Sequence, residues 1–314
     1  MIHARSLADL KPDRPALLTI GSFDGVHLGH QTLIRELVAS ARAQNYRAAV
    51  VTFFPHPSIV LRGRKPSFYL TTPEEKAGLF RTFGVDVLVT HPFSREISMI
   101  TASDFVAQLK RALDFQELRC GADFAFGHDR EGTVGWLRAH GITVKVVDPV
   151  IASGDLISSS RIRRAVAEGD IAQAAECLGR PFHVAGMVIE GNKRGRTIGI
   201  PTANLDIWDE RAYPARGVYA CRAWVADSPV DAVANIGVRP TFGSDDRPTV
   251  EAHLFDFTGD LYGQTLRLDF VARLRAEQKF NGVDELIAQI HRDIEQARHL
   301  LKSQLPISKT PTAS

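Results

Sequence analysis

The chain has 314 residues, 44% of them hydrophobic and 24% charged, with a formal net charge of +2. These values are typical of a globular protein long enough for two domains, and the near-neutral charge argues against binding to nucleic acid or to an anionic membrane. The sequence has no apolar stretch of membrane-spanning length and no secretory signal at its start. Its cysteines, Cys120, Cys177 and Cys221, lack the spacing of a zinc or disulfide site. We therefore expect a cytoplasmic protein.

Up to about Gly179, short apolar runs alternate with helical patterns. The runs predict five strands, at residues 16–21, 47–54, 85–90, 117–121 and 142–148. The helical patterns between and after them cover residues 28–44, 71–83, 101–113 and, as two short helices, 158–182. Strands that alternate with helices of this length indicate βαβ units, so we predict a Rossmann-like α/β domain with a parallel sheet.

After residue 182 the pattern changes to short strands separated by Gly, Pro, Asn and Asp. They are predicted at residues 183–190, 217–226, 231–237, 249–257 and 265–275. Their alternation predicts an antiparallel sheet closed into a small barrel or sandwich. A helix from Val283 to Lys302, apolar on one face, follows. We expect domains at residues 1–182 and 183–303, and a disordered tail at residues 304–314.

The segment GSFDGVHLGH, residues 21–30, joins the first predicted strand to the first predicted helix. Parallel sheets bind ligands at the carboxyl ends of their strands, and a helix N-terminus attracts anions. Gly25 allows a close backbone approach, and His27 and His30 lie one helical turn apart. Their imidazoles could donate hydrogen bonds to phosphate and stabilise charge in a transition state. The alternative is a helix cap with two incidental exposed histidines.

A second candidate anion site lies at residues 158–163, SSSRIR. Serines that cap a helix and are followed by Arg161 could cradle a triphosphate. The same residues fit equally well an ordinary cap with a solvated basic face.

The second half contains GNKRGRTIGIPTANL, residues 191–205. Glycines at 191, 195 and 199 make a basic loop able to fold over phosphates, although it is not a Walker A loop. The Thr202 hydroxyl and the Asn204 amide are oxygen donors of the kind that Mg²⁺ prefers. Alternatively, PTAN is a proline-initiated turn.

Glu251 lies in the predicted strand TVEAHLFDF. Alternation places Glu251 and His253 on one face and Val250, Ala252 and Leu254 on the other. A carboxylate here could accept the proton of a hydroxyl that attacks the γ-phosphate of ATP. The alternative is a solvent-facing residue.

These motifs together resemble one protein family. GSFDGVHLGHQ, VTFFPHP, CGADFAFG and ISSSRIR resemble the nucleotidylyltransferase module of the prokaryotic bifunctional riboflavin kinase/FAD synthetase family. GNKRGRTIGIPTANL, ANIGVRPTF, TVEAHLFDF and GDLYG resemble its riboflavin kinase module. The resemblance runs from about Ala16 to the last helix. It implies a nucleotidylyltransferase fold followed by a six-stranded Greek-key barrel.

The resemblance also implies a two-step reaction: riboflavin is phosphorylated to FMN with Mg-ATP, and AMP from a second ATP is transferred to FMN, giving FAD and pyrophosphate. The partners would be these small molecules, with no nucleic acid and no membrane. One competing hypothesis is a nucleotidylyltransferase for another phosphorylated substrate with a regulatory barrel. Another is a non-catalytic flavin- or nucleotide-binding protein.

Carried over residue by residue, the resemblance makes His27, His30 and Glu251 catalytic. The implied ATP-binding residues are Gly21, Ser22, Phe23, Gly25, His27, His30, Ser159 and Arg161 in the first domain, and Gly191, Lys193, Gly199, Thr202 and Asn204 in the second. Thr202 and Asn204 would also hold Mg²⁺. The flavin-binding candidates are Asp123, Arg275, Glu277 and His56, the last from its rigid Pro-His-Pro loop. Ser22 and Phe54 stand where the family often has Asn and Glu, so Phe54 is given no polar role.

Overall fold

A computed structural model describes residues 1–63, 68–191, 195, 198–238 and 248–303. Within these residues the chain forms two compact units. One consists of residues 1–63 and 71–159, and the other of residues 68–70 and those from 160 onward. The expected domain limits at 182 and 183 stay a prediction, and the tail expected to be disordered, 304–314, lies outside the described residues.

The first unit is built on a parallel sheet of six strands in the order β1-β4-β3-β2-β5-β8. These strands are β1 Ile2–Ala4, β2 Ala16–Ile20, β3 Arg47–Phe54, β4 Val87–Pro92, β5 Phe115–Cys120 and β8 Thr143–Val146. Two small hairpins add β6 Ala125–Phe126, β7 Gly132–Thr133, β9 Ile151–Ala152 and β10 Asp155–Leu156. The predicted parallel α/β fold is therefore confirmed, with an edge strand, β1, that the sequence did not reveal.

Helices cover both faces of this sheet. They are α1 Leu28–Ala43, α2 Pro57–Arg62, α3 Pro73–Thr82, α4 Arg95–Ser98, α5 Ala102–Leu113 and α6 Val134–Ala139, with 3-10 turns at Leu7–Asp9 and His128–Arg130. Consecutive residues of β2 point to opposite faces, so Leu17 packs into one apolar cluster and Leu18 into the other. This double burial explains why the strands are continuous apolar runs.

Local signals determine where helices begin and end. At α3, the Thr72 hydroxyl accepts from the Glu75 amide at 3.2 Å, and the Glu75 carboxylate accepts from the Thr72 amide at 2.9 Å. This is a capping box, with Pro73 at the first helical position of the helix predicted at residues 71–83. Two further helices, α7 Ser159–Glu168 and α8 Ile171–Leu178, follow, and α8 ends at Gly179 with a φ of 66°.

The second unit contains a closed barrel in the order β11-β12-β15-β14-β13-β16, with antiparallel neighbours throughout. Its strands are β11 His183–Ile189, β12 Ala203–Asp206, β13 Gly217–Val225, β14 Ser228–Val238, β15 Pro248–Leu254 and β16 Thr265–Arg275. Helix α9, Val283–Lys302, packs Ala297 and Leu301 against the barrel. The predicted barrel and final helix are confirmed. The turn interpretation of PTAN is wrong, because Asn204 lies in β12, where barrel closure supplies hydrogen-bond partners on both sides.

None of the helices in the described part of the chain combines the length and the apolarity that a transmembrane span requires. The three cysteines are buried and unbridged, as expected.

Candidate active sites

The first candidate site is the loop between β2 and α1, at the carboxyl edge of the parallel sheet. Three of its residues have left-handed backbone angles: Phe23 with a φ of 48°, Gly25 with 80° and Val26 with 40°. Left-handed conformations cost energy for residues with a side chain, and such strain concentrates at functional sites. The loop is therefore a tightly folded structure rather than a passive connection.

Hydrogen bonds anchor this loop to two other segments. The buried carboxylate of Asp24 accepts from the Thr71 amide at 3.2 Å, and the Gly25 amide donates to the Thr71 hydroxyl at 3.1 Å. The Ser159 hydroxyl donates to the Asp24 carbonyl at 2.9 Å. The first residue of ISSSRIR that enters α7 thus lies beside the first motif, although 135 residues separate them.

The two histidines form a stacked pair at the start of α1. Their ring centroids are 3.5 Å apart and the rings are inclined by 21°. His27 caps the helix, because its Nδ1 accepts from the His30 amide at 3.4 Å. It is a cap as the alternative interpretation held, but it is buried rather than exposed. With Nδ1 accepting, the proton of a neutral His27 lies on Nε2, where it can be donated to a ligand.

His30 is kept neutral by its surroundings. Burial, the neighbouring His27 and the charge of Lys76 hold the pKa of His30 well below its ordinary value. Its Nδ1 is buried and has no hydrogen-bond partner among the described residues. His30 therefore offers hydrogen bonds to a bound anion rather than positive charge.

The other candidates of the expected first domain, residues 1–182, have different surroundings. His56 caps α2 through its Nδ1, which accepts from the Ser58 amide at 3.1 Å. Asp123 is exposed in the loop after β5, and its carbonyl accepts from Arg130 at 3.3 Å. Arg161 is buried in the first turn of α7. The binding roles of His56, Asp123 and Arg161 stay predictions.

The second candidate site is a row of polar residues on three adjacent barrel strands. Glu251 of β15 is paired with Asn204 of β12 on one side and with Asn235 of β14 on the other. Directly paired residues of neighbouring strands place their side chains on the same face of a sheet. The three side chains therefore form one polar row. Sequence reasoning missed Asn235, since only the strand register reveals it.

Gly191 and Gly195, which precede β12, lie close to PTAN. A Cβ on Gly191 would lie 2.2 Å from the amide nitrogen of Asn204, and one on Gly195 would lie 3.4 Å from the Thr202 hydroxyl. Gly199 has a φ of 75°. The backbone at Gly191 therefore approaches Asn204 as closely as only glycine allows. Lys193 lies outside the described residues.

Two cavities of the barrel unit share Thr202. The larger, of about 580 Å³, is lined by Asn235, Glu251, Arg275 and Glu277 and by an apolar wall that includes Ile200, Val218, Phe280 and Leu286. The smaller, of about 470 Å³, is lined by residues of β11, β12 and β15 and by the segment from Phe257 to Tyr262. The two cavities therefore meet at Thr202.

The predicted flavin-side residue Arg275 is fixed by a buried acid. Its Nη2 lies 2.7 Å from the Asp293 carboxylate, and its Nε lies 3.0 Å from the other carboxylate oxygen. Gln289 donates to the same carboxylate at 2.8 Å. Asp293 lies on α9, and its position on the apolar face of that helix was the signal that could have identified it.

The oxygen donors at this site suit a Mg²⁺ ion that is also coordinated by the phosphates of a nucleotide. Within the described residues there is no group of three His, Cys, Asp or Glu that could hold a metal. Thr202, Asn204 and Glu251 supply a hydroxyl, an amide and a carboxylate. Magnesium is usually bound by few protein oxygens together with substrate phosphates, and this donor set fits that pattern.

Both units match models of known protein families. Residues 9–161 match the FAD synthetase family model, and residues 178–301 match the riboflavin kinase model. A bifunctional riboflavin kinase/FMN adenylyltransferase of Listeria monocytogenes is 37% identical, covering 95% of this chain and 96% of that protein. The protein of the same name from Bacillus subtilis is also 37% identical, over 90% of this chain and 91% of that protein. The chain belongs to the bifunctional riboflavin kinase/FMN adenylyltransferase family.

Family membership confirms the resemblance inferred from the motifs and the presence of two catalytic modules. The barrel matches the riboflavin kinase model, so a purely regulatory barrel has no support. A crystal structure from Streptococcus pneumoniae, described as a macrolide-efflux protein, has a TM-score of 0.88 at 34% identity and covers 95% of this chain and 98% of that one. The fold of the chain is therefore that of a solved protein over nearly its whole length.

Proposed function

We propose that the barrel of this riboflavin kinase/FMN adenylyltransferase uses Glu251 as the base of the kinase reaction. The 5′-hydroxyl oxygen of riboflavin attacks the γ-phosphorus of ATP, the bond from that phosphorus to the bridging oxygen breaks, and ADP leaves. The hydroxyl proton passes to Glu251. The observation that carries the proposal is the position of Glu251 between Asn204 and Asn235 at the wall of the larger cavity.

The two cavities suit the two substrates. The larger cavity has an apolar wall for a flavin ring, together with the Arg275 and Glu277 side chains at its rim. The smaller cavity would take the adenine end of ATP, with Thr202 at the point where the cavities meet. In this arrangement the triphosphate runs along Thr202 and Asn204, past Gly191. When bound with ATP, Mg²⁺ would be held by Thr202 and Asn204 and would offset negative charge on the phosphates.

In the first unit, an oxygen of the FMN phosphate attacks the α-phosphorus of a second ATP. The bond from that phosphorus to the bridging oxygen breaks, pyrophosphate leaves with the electron pair, and FAD forms without a required proton transfer. The amides at the start of α1 and the Nε2 proton of His27 donate hydrogen bonds to the phosphates. The stacked histidine pair at the carboxyl edge of the sheet supports this assignment.

We also propose a reducing, cytoplasmic location, supported by three buried and unbridged cysteines. Burial raises the pKa of Cys120 to about 11, which keeps that thiol unreactive. Riboflavin, FMN and ATP are the proposed partners.

Two variants of the full chain test the assignment of the sites. The protein is incubated with riboflavin, ATP and magnesium, or with FMN, ATP and magnesium, and FMN and FAD are separated by chromatography. We expect His27→Ala to reduce FMN adenylylation at least 100-fold and to leave riboflavin phosphorylation within twofold. Glu251→Ala is expected to do the reverse, because the two sites are in separate units.

Exposed residues provide the controls. His140→Ala in the first unit and Glu295→Ala on α9 remove the same side chains from exposed positions, and both activities should persist. The assignment is wrong if either site variant retains its own activity or loses only the other one.

A further inference from the structure

Lys76 is a buried lysine at the edge of the adenylyltransferase site. It lies on α3, only 6% of its surface is exposed, and its ammonium donates to the Ser22 carbonyl at 2.7 Å. The Thr52 hydroxyl, 3.4 Å from the same nitrogen, donates to that carbonyl at 3.1 Å. Ser22 directly follows β2, so Lys76 contacts the first part of the loop that carries the histidines.

The burial of this charge is unfavourable. The ammonium is bonded to a neutral carbonyl and a hydroxyl, and desolvation lowers the pKa of Lys76 to about 8 although the charge of Asp24 opposes the shift. A lysine in a structural position is normally solvated or paired with an acid. A cation retained at this cost beside a phosphate-binding loop indicates a functional role.

The surrounding charges identify that role. The titratable groups that interact with the ammonium are Asp24 of the loop and His30 of α1, while the Glu75 carboxylate on its own helix accepts from the Thr72 amide. Since His30 is held neutral in part by Lys76, the lysine and not His30 carries positive charge. The His30 imidazole is then a neutral hydrogen-bonding group.

We infer that Lys76 is the positioning residue of the adenylyltransferase site, holding the Ser22 carbonyl and supplying the fixed positive charge toward which the ATP phosphates are drawn. The inference rests on the proposed adenylylation at this loop. The strained residues Phe23 and Val26 lie in the same loop as Ser22, so loss of the lysine leaves the Ser22 carbonyl with the Thr52 hydroxyl alone and holds the loop before His27 less firmly. Loss of the charge weakens ATP binding and slows the departure of pyrophosphate.

The test uses the full chain with Lys76→Met and Lys76→Arg. We expect Lys76→Met to lower kcat/KM for ATP in FMN adenylylation at least 50-fold and to leave riboflavin phosphorylation in the other unit within twofold. Urea unfolding followed by the fluorescence of Trp136, which lies in the same unit as Lys76, measures the folding of the variant. Lys76→Arg should recover at least a fifth of the wild-type value. Lys110→Met, which removes an exposed lysine of α5, should change neither activity.

The pH profile separates an electrostatic role from a structural one. In the wild type, kcat/KM for ATP in adenylylation should fall as the pH rises through about 8, because this quantity reports groups of the free enzyme. With Lys76→Arg the fall should be absent up to pH 9.5. A wild-type profile that is flat from pH 7 to 9.5, or a Lys76→Met enzyme within threefold of wild type, overturns the inference.

These results are distinguishable from failure of the proposed function. If the wild type makes FAD and His27→Ala does not, but Lys76→Met does, only the inference about Lys76 is wrong. If the wild type makes no FAD from FMN and ATP, the proposed function itself is wrong. If Lys76→Met loses both activities, Lys76→Arg and the wild-type profile decide the question.

Discussion

Replacing Lys76 by Met should make the protein more stable at neutral pH while it damages the adenylyltransferase. Methionine is close to lysine in length and needs no solvation, so it can occupy the same buried channel. The Ser22 carbonyl keeps its hydrogen bond from the Thr52 hydroxyl at 3.1 Å. The substitution therefore removes an unfavourable buried charge without leaving a buried acceptor unpaired.

The magnitude follows from the pKa of Lys76. A fall from 10.5 to about 8 means that the folded chain disfavours the charged form by about 3 kcal/mol, at about 1.4 kcal/mol per pKa unit. The lost hydrogen bond to Ser22 contributes about 1 kcal/mol in the other direction. We therefore expect Lys76→Met to raise the free energy of unfolding by about 2 kcal/mol at pH 7.

The two pKa values of Lys76, 10.5 in the unfolded chain and about 8 in the folded chain, also determine how the free energy of unfolding changes with pH. Between pH 8 and 10.5 the unfolded chain still holds the Lys76 proton and the folded chain has released it, so wild-type stability rises with pH relative to the variant. The cost of the buried charge falls by about 2 kcal/mol between pH 7 and pH 9.5. The advantage of Lys76→Met should therefore nearly vanish at pH 9.5.

The assay is urea unfolding at both pH values, followed by the fluorescence of Trp136. Trp136 is the one tryptophan of the first unit, so both proteins carry Trp208→Phe and Trp224→Phe. The difference between the two proteins cancels the contributions of all other titrating groups. The reasoning is refuted if Lys76→Met is less stable than its parent at pH 7, or if the difference between them does not change with pH.

Three further predictions concern single contacts. The pKa of His30 in the folded chain lies well below 6.5, so below pH 6.5 the unfolded chain binds a proton that the folded chain does not. The free energy of unfolding should therefore fall with acidification, and His30→Gln should make that fall less steep in acid titrations. An unchanged slope would contradict the buried neutral imidazole. Gly191→Ala should lower riboflavin phosphorylation at least tenfold and spare FMN adenylylation, because its Cβ would lie 2.2 Å from Asn204; equal activity would show that the loop can move away. Asp293→Asn removes the charge that fixes Arg275, so KM for riboflavin should rise about tenfold with a smaller change in kcat, and an unaltered KM would exclude a positioning effect.

Much of the fold could be predicted because its signals are local. The runs at residues 16–20 and 47–54 are buried on both faces of the sheet and therefore read as continuous apolar segments. The helices predicted at residues 71–83 and 283–302 agree with the observed Pro73–Thr82 and Val283–Lys302 to within two residues at each end. Strand β1 could not be found in the same way. It has three residues and exists because Ile2 pairs with Val87, far along the chain.

The residues of the candidate sites differ in the same way: some are marked by local sequence motifs, and others only by the folded structure. Glu251, Asn204 and the two histidines belong to compact motifs, so the sequence itself brings them to notice. Asn235 becomes visible only when barrel closure pairs it with Glu251. Lys76 lies on an amphipathic helix beside two glutamates, and from the sequence it resembles a solvated surface residue. Only packing of α3 against the sheet buries it.

The central claim is that two sites in one chain act on different phosphorus atoms of ATP. The most direct measurement supplies riboflavin and magnesium with ATP labelled either at the γ-phosphate or at the α-phosphate and follows the label into the separated flavins. The γ label should appear in FMN and be carried into FAD, whereas the α label should appear in FAD and never in FMN. The α label in FMN, or FAD without the α label, would contradict the account.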